Sequence, residues 1–141
     1  MSAAFEDLRL RLAEIDDLRR AAELLGWDQQ VMMPRRGAAV RAEQLATLKR
    51  VTHEKFTSPE IGRLLEELAS FEAGHAYDSF EASLVRVTRG DWEKARKVPA
   101  ELRAAISRSS SLALPVWVDA RRNNDFAAFL PVLRKNLELR R

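Results

Sequence analysis

Between Ser2 and Gly26 the apolar residues fall at Phe5, Leu8, Leu12, Ile15, Leu18, Ala22 and Leu25, always three or four positions apart. An α-helix gathers such positions on one side, because its side chains return to the same face every 3.6 residues. The opposite positions carry Arg9, Glu14, Asp17 and Arg20, so one face suits burial and the other water. Ser2 is placed to cap this helix, and Glu6 and Asp7 suit the positive end of its dipole. At 1.5 Å per residue the helix would be roughly 37 Å long, comparable with the width of a domain. It is expected to pack along the full length of other helices.

The pattern recurs downstream in shorter pieces. Gly26-Trp27-Asp28-Gln29-Gln30-Val31-Met32-Met33-Pro34-Arg35-Arg36-Gly37 interrupts it, since Pro34 disfavours a helical Met33 and Gly37 permits a turn. A second helix is expected from Ala38 to Lys55, with Val40, Leu45, Leu48, Val51 and Thr52 inward. Ser58 then caps a third, with Pro59 at its first position and Ile61, Leu64, Leu65 and Leu68 inward, ending near Ser70. Phe71 to Tyr77 reads as a connection broken at Gly74. A fourth helix follows from Asp78 or Ser79 to about Lys97, with Phe80, Leu84, Val87, Trp92 and Ala95 inward.

Pro99 restarts a fifth helix holding Leu102, Ile106, Leu112, Val116 and Trp117, which Asn123-Asn124 ends. Pro115 lies inside it and predicts a kink or break near Ser111 to Leu114. Asp125 is expected to cap a short turn and Pro131 to open a last helix, Val132 to Arg141, which has no stop signal and reads as part of a longer pattern. No strand-like alternation occurs. The expected fold is all-α: an antiparallel helical bundle with long helices and no sheet, in a single helical domain over residues 1–141.

Composition narrows the function. With 46% hydrophobic and 32% charged residues in 141, the chain has a globular balance. Cysteine is absent, which excludes disulfides and thiolate zinc sites. No apolar run approaches the roughly 20 residues that span a bilayer. The acidic, amphipathic start is unlike a signal peptide. A cytoplasmic location and no membrane partner are therefore expected. The net charge of +3 comes from 24 basic and 21 acidic residues, interspersed at helical spacing. That describes solvated helix faces, and no nucleic-acid partner is expected.

Candidate chemistry is sparse. His53-Glu54 begins like a zinc-protease helix, but His-Glu-x-x-His needs a second histidine where Thr57 stands. The only other histidine, His75, lies in the expected connection. The pairs Asp16-Asp17 and Glu66-Glu67 sit on amphipathic helices, and Ser107, Ser109, Ser110 and Ser111 have no nearby histidine as a base. No catalytic residue and no metal ligand is assigned. Trp27, Asp28, Gln29 and Met33 remain open to two readings. They either seal the end of the first helix pair, with Asp28 capping or pairing with an arginine, or wall a binding groove.

The same segment carries a resemblance. Leu24-Leu25-Gly26-Trp27-Asp28-Gln29-Gln30-Val31-Met32-Met33-Pro34, followed by Arg41-Ala42-Glu43-Gln44-Leu45-Ala46-Thr47-Leu48, resembles the N-terminal signature of the thermostable carboxypeptidase Taq family. His53 to Gly62, Val98 to Leu102 and Asn124 to Phe129 are similar to later parts of it, in the same order. The resemblance implies a helical zinc metallocarboxypeptidase that removes C-terminal residues from peptides and commonly forms homodimers. Its zinc site, a His-Glu-x-x-His helix with a downstream glutamate, matches no position here. The chain is thus expected to be an N-terminal helical part or truncated homologue, without zinc and inactive alone. It would form a cap and one wall of the substrate cleft, with Trp27, Asp28, Gln29 and Met33 as groove or substrate contacts. Self-association is expected, and a peptide substrate only within a full-length enzyme. The alternative is a stand-alone helical interaction module.

Overall fold

The computed structural model describes residues 2–141. Among them the chain is helical with no strand: α1 (Ala3–Val31), a 3-10 turn (Arg35–Gly37), α2 (Ala38–Phe56), α3 (Pro59–Glu67), α4 (Ala69–Ala73), α5 (Phe80–Ala95), α6 (Ala100–Arg122) and α7 (Phe126–Glu138). The expected all-α class holds. No helix among the described residues is long and apolar enough to cross a membrane. The helices fall into two compact units, one of residues 2–18 and 52–99, the other of residues 19–51 and 100–141.

The first unit is built on large side chains. Phe5, Leu8 and Ile15 of α1 are buried with Phe56, with Ile61, Leu64 and Leu65 of α3, with Leu68, and with Val85 of α5. Leu12, Phe71, Leu84 and Trp92 pack against them. Fully burying each Leu, Ile or Phe is worth about 1.5–3 kcal/mol, so this cluster is the unit's main source of stability. Phe5 stacks on Phe71 at 5.1 Å, and the His75 ring tilts against Phe71 at 4.2 Å. The expected α3 stripe is correct at all four positions, and Pro59 opens that helix as the sequence predicts.

On α5 the buried face differs from expectation. Ser79 caps the helix, its side chain accepting from the Ala82 amide. Ala82, Val85, Thr88 and Ala95 are the buried residues, whereas Phe80 and Val87 are exposed. Helical spacing defines stripes without ranking them, and packing against α3 and α4 selects the one with smaller side chains.

The second unit packs differently. Its buried residues are Ala22, Ala42, Leu45, Ala46, Ala104, Ser109, Ser111 and Ala120, nearly all small. Small residues let helix backbones approach closely but contribute little apolar area. Val40, expected inward, is exposed, and so in part are Leu112 and Trp117 of α6.

Helix boundaries depart from the sequence reading at glycine and proline. α1 continues through Gly26, which costs only about 1 kcal/mol relative to Ala in a helix, and stops where Pro34 holds Met33 out of helical geometry. α6 runs unbroken through Pro115. It ends with Asn124 in the left-handed region at φ 52°. There the Asp125 amide donates to the Ala120 carbonyl at 2.8 Å and the Asn124 amide to that of Arg121 at 3.4 Å, the paired bonds of a Schellman motif. Asp125 then caps α7, accepting from the Ala128 amide at 3.1 Å. α7 therefore begins at Phe126, and Pro131, expected to open it, lies inside. Pro131 leaves the carbonyl of Ala127 without a helical donor, but Ala127 is exposed and water can serve it.

Gly62 of α3 is a close-approach position. A Cβ there would lie 2.6 Å from Cζ2 of Trp92, so the indole rests against the bare α3 backbone. Gly62→Ala is expected to displace Trp92 and destabilise the chain by about 1–3 kcal/mol, as overpacking typically does. Urea unfolding followed by circular dichroism measures this, and an unchanged midpoint would contradict it.

Candidate functional site

The residues singled out by sequence lie at the C-terminal end of α1, in the second unit. A proline dictates part of their arrangement. Pro115 has no amide hydrogen, so the carbonyl of Ser111, one turn earlier on α6, loses its normal helical donor. Gln29 replaces it. Its Nε2 donates to the Ser111 carbonyl at 3.0 Å, while the Ser111 hydroxyl donates to Gln29 Oε1 at 3.0 Å. Both ends of the amide are used, and α6 stays continuous where a break was expected.

Asp28 faces a different partner. Its carboxylate lies 2.7 Å from Nη2 of Arg41 on α2. Arg41 also donates to the Leu25 carbonyl at 2.6 Å and to Gln44 Oε1 at 3.0 Å. With its side chain only 14% exposed, this guanidinium ties the last turns of α1 to α2, in the arginine pairing that the sequence left open. The Asp28 carbonyl accepts from the amides of Met32 and Met33, both at 2.9 Å, which closes the helix. Met33 folds over Gly37, whose position for a Cβ lies 3.1 Å from Met33 Cγ. Trp27 is 57% exposed and so does not seal the helix end.

Two further ion pairs brace the unit: Arg35 with Asp119 at 2.6 Å and Arg108 with Glu43 at 2.5 Å. Hydrogen bonding to Arg108 is the largest cause holding the Glu43 carboxyl below its ordinary range, and Arg35 acts likewise on Asp119. Beside them lies an open apolar groove of about 490 Å³, lined by Leu25, Val40, Glu43, Gln44, Thr47 and Leu48. Trp27, Asp28, Gln29 and Met33 are not among its lining residues.

The chain's own side chains do not fit a zinc site. Both histidines lie in the first unit with a ring nitrogen engaged by a main-chain carbonyl: His53 Nε2 with Val98 O at 2.6 Å and His75 Nδ1 with Phe71 O at 2.7 Å. A carbonyl only accepts, so each of those nitrogens donates, and the lone pair lies on the other ring nitrogen. No group of three His, Cys, Asp or Glu residues suited to a metal occurs among the described residues. Arg41 and Ser111 were missed as partners of the signature segment. A proline inside a helix was the available signal for Ser111, since it obliges the carbonyl four residues back to find an outside donor.

Gln29→Leu is expected to cost about 1–3 kcal/mol by leaving the Ser111 carbonyl unsatisfied. In a Pro115→Ala background, where a backbone amide can again serve that carbonyl, the cost should shrink. A double-mutant cycle by urea unfolding measures the coupling, and equal costs in both backgrounds would rule out this role. The lowered carboxyl values of Glu43 and Asp119 stabilise the folded chain above the ordinary carboxylate value near pH 4. That contribution is lost as pH falls through the lower folded values. Glu43→Gln with Asp119→Asn should therefore flatten the acid limb of the stability curve at low ionic strength. An unchanged limb would show that these exposed pairs add nothing.

Comparison with known proteins identifies the setting. Residues 7–141 match the profile of the family described as carboxypeptidase Taq (M32) metallopeptidase. The chain is 34% identical to thermostable carboxypeptidase 1 of Thermus thermophilus over 133 residues, 94% of this chain and 26% of that one. It is also 34% identical to thermostable carboxypeptidase 1 of Pyrococcus furiosus over 119 residues, 84% of this chain and 23% of that one. Among solved structures, BsuCP shares its fold at a TM-score of 0.90 with 22% identity, over 98% of this chain and 27% of that one. Trypanosoma cruzi metallocarboxypeptidase 1 matches at 0.69 with 27% identity, over 96% of this chain and 27% of that one. The chain spans about a quarter of the length of the relatives it matches. It belongs to the carboxypeptidase Taq (M32) metallopeptidase family.

Proposed function

We propose that this chain acts as the N-terminal helical part of a zinc metallocarboxypeptidase that removes C-terminal residues from peptides, and that it is inactive alone. The observation that carries this reading is the match itself: nearly the whole chain corresponds to about a quarter of enzymes called carboxypeptidases. The geometry supports it from another side. Its histidines serve main-chain carbonyls, and its signature carboxylate, Asp28, is tied to Arg41. These are the uses of a scaffold. When bound elsewhere in the enzyme, zinc would activate the water that attacks the peptide bond. This chain would supply walls and orientation, with the rigid α1–α2 junction at Asp28 and Arg41 holding the exposed Trp27 beside the cleft.

Two measurements test the proposal. The purified chain should release no C-terminal amino acids from peptides, with or without added zinc. A chimera in which it replaces the matching segment of the Thermus thermophilus carboxypeptidase should keep chelator-sensitive activity within roughly tenfold of the parent, a barrier difference of about 1.4 kcal/mol. Hydrolysis by the isolated chain would overturn inactivity alone, and a folded but inert chimera would overturn the proposed role.

A further inference from the structure

In the first unit, α3 and α5 wall a cavity of about 390 Å³. Its floor is apolar. Gly62 has no side chain and Leu65 is buried, so the Trp92 indole lies against the bare α3 backbone. The Arg96 guanidinium stands over the Trp92 ring at 4.8 Å, a cation–π contact. Arg89 also lines the cavity, and its charge is met by Glu72 at 2.8 Å.

Four charged side chains on the cavity remain: Glu66 from α3, Glu93 from α5, and Arg96 and Lys97 just past the end of α5. All four are exposed, and among the described residues none of them forms an ion pair. The end of α5 keeps the nearest opposite pair apart. In a continuing helix the Lys97 amide would reach the Glu93 carbonyl, and a Glu four residues before a Lys is the order that pairs best. Here that amide turns back to the Lys94 carbonyl at 3.3 Å instead, so the backbone leaves helical register before Lys97. Exposed charges are solvated and need no partner. What singles these out is that two acids and two bases line one concavity with an apolar floor.

We propose that this cavity binds a free α-amino acid with an apolar side chain. Such a ligand carries its two opposite charges on adjacent groups. Its ammonium complements Glu66 and Glu93, its carboxylate complements Arg96 and Lys97, and its side chain rests on Leu65 and Trp92. A simple anion would meet the two acids and a simple cation the two bases, so the charge pattern favours a zwitterion. The volume agrees, since about 390 Å³ lies near the lower end of the roughly 300–1,000 Å³ of small-molecule sites. The proposal goes beyond the function proposed above and does not rest on it. An enzyme that removes C-terminal residues nevertheless releases ligands of this class, so in that setting the site registers product.

The test is a titration of the 141-residue chain with L-leucine, followed in ¹H–¹⁵N spectra at the Trp92 indole N–H, which Trp92→Phe assigns. The shift should saturate with a Kd of about 1 mM or tighter. N-acetylleucine lacks the ammonium and leucinamide lacks the carboxylate, and each should bind roughly fivefold or more weakly for want of a charge-assisted hydrogen bond. Glu66→Gln with Glu93→Gln should remove most of the preference for leucine over N-acetylleucine. Arg96→Gln with Lys97→Gln should do the same for leucinamide. Each variant's own spectrum reports its fold, and should one be lost, the ranking of the three compounds on the unaltered chain still decides. A shift that does not saturate by on the order of 20 mM leucine, equal binding of all three compounds, or a preference unchanged in both double variants overturns the proposal.

Discussion

The carbonyl of Ser111 has lost its helical donor to Pro115, and the structure of the second unit depends on how that debt is met. A proline in mid-helix removes one hydrogen bond and crowds the preceding turn, at a cost of about 3 kcal/mol. Gln29 answers it from α1, with an amide that donates to the carbonyl and accepts from the Ser111 hydroxyl. The two helices are thereby held in one register, since the donor must stand opposite a single carbonyl. Nothing in an apolar contact would impose so narrow a condition.

That condition matters because the unit has little else of comparable specificity. Its buried side chains are mostly alanine and serine. Helices joined by small residues approach closely yet gain little area, so polar ties define where they meet. Arg41 links α2 to α1 through two acceptors, the Asp28 carboxylate and the Leu25 carbonyl, and Arg35 and Arg108 reach Asp119 and Glu43. The exposed pairs are worth little energetically. The buried-side ties at Gln29 and Arg41 are where removal of one partner strands another polar group. The first unit shows the opposite chemistry: its large side chains around Phe5, Leu8, Ile61 and Leu65 exclude water over a broad area.

This division bears on the proposed role, which asks a scaffold to hold its shape while presenting surface. Here the shape is kept by polar ties on one side of α1, which leaves Leu24, Trp27 and Val31 free on the other. The signature segment owes its two-sided character to that arrangement. Within it, the Asp28 carboxylate is committed to Arg41.

Much was determined by sequence alone. Three-and-four spacing declares the helices, and absent alternation rules out a sheet, because periodicity is a local property of the chain. The α3 stripe at Ile61, Leu64, Leu65 and Leu68 was legible for that reason, as was the helix stop imposed on Met33 by Pro34. Tertiary structure alone decided which of several stripes is buried. Phe80 and Val87 lost to Ala82 and Val85 because burial depends on the neighbouring helix, and the neighbour's surface is not written in α5. It also decided that Pro115 could sit inside α6. A missing amide is visible in sequence, but the donor that replaces it, Gln29, is 82 residues away from Ser111, and only folding brings the two within reach.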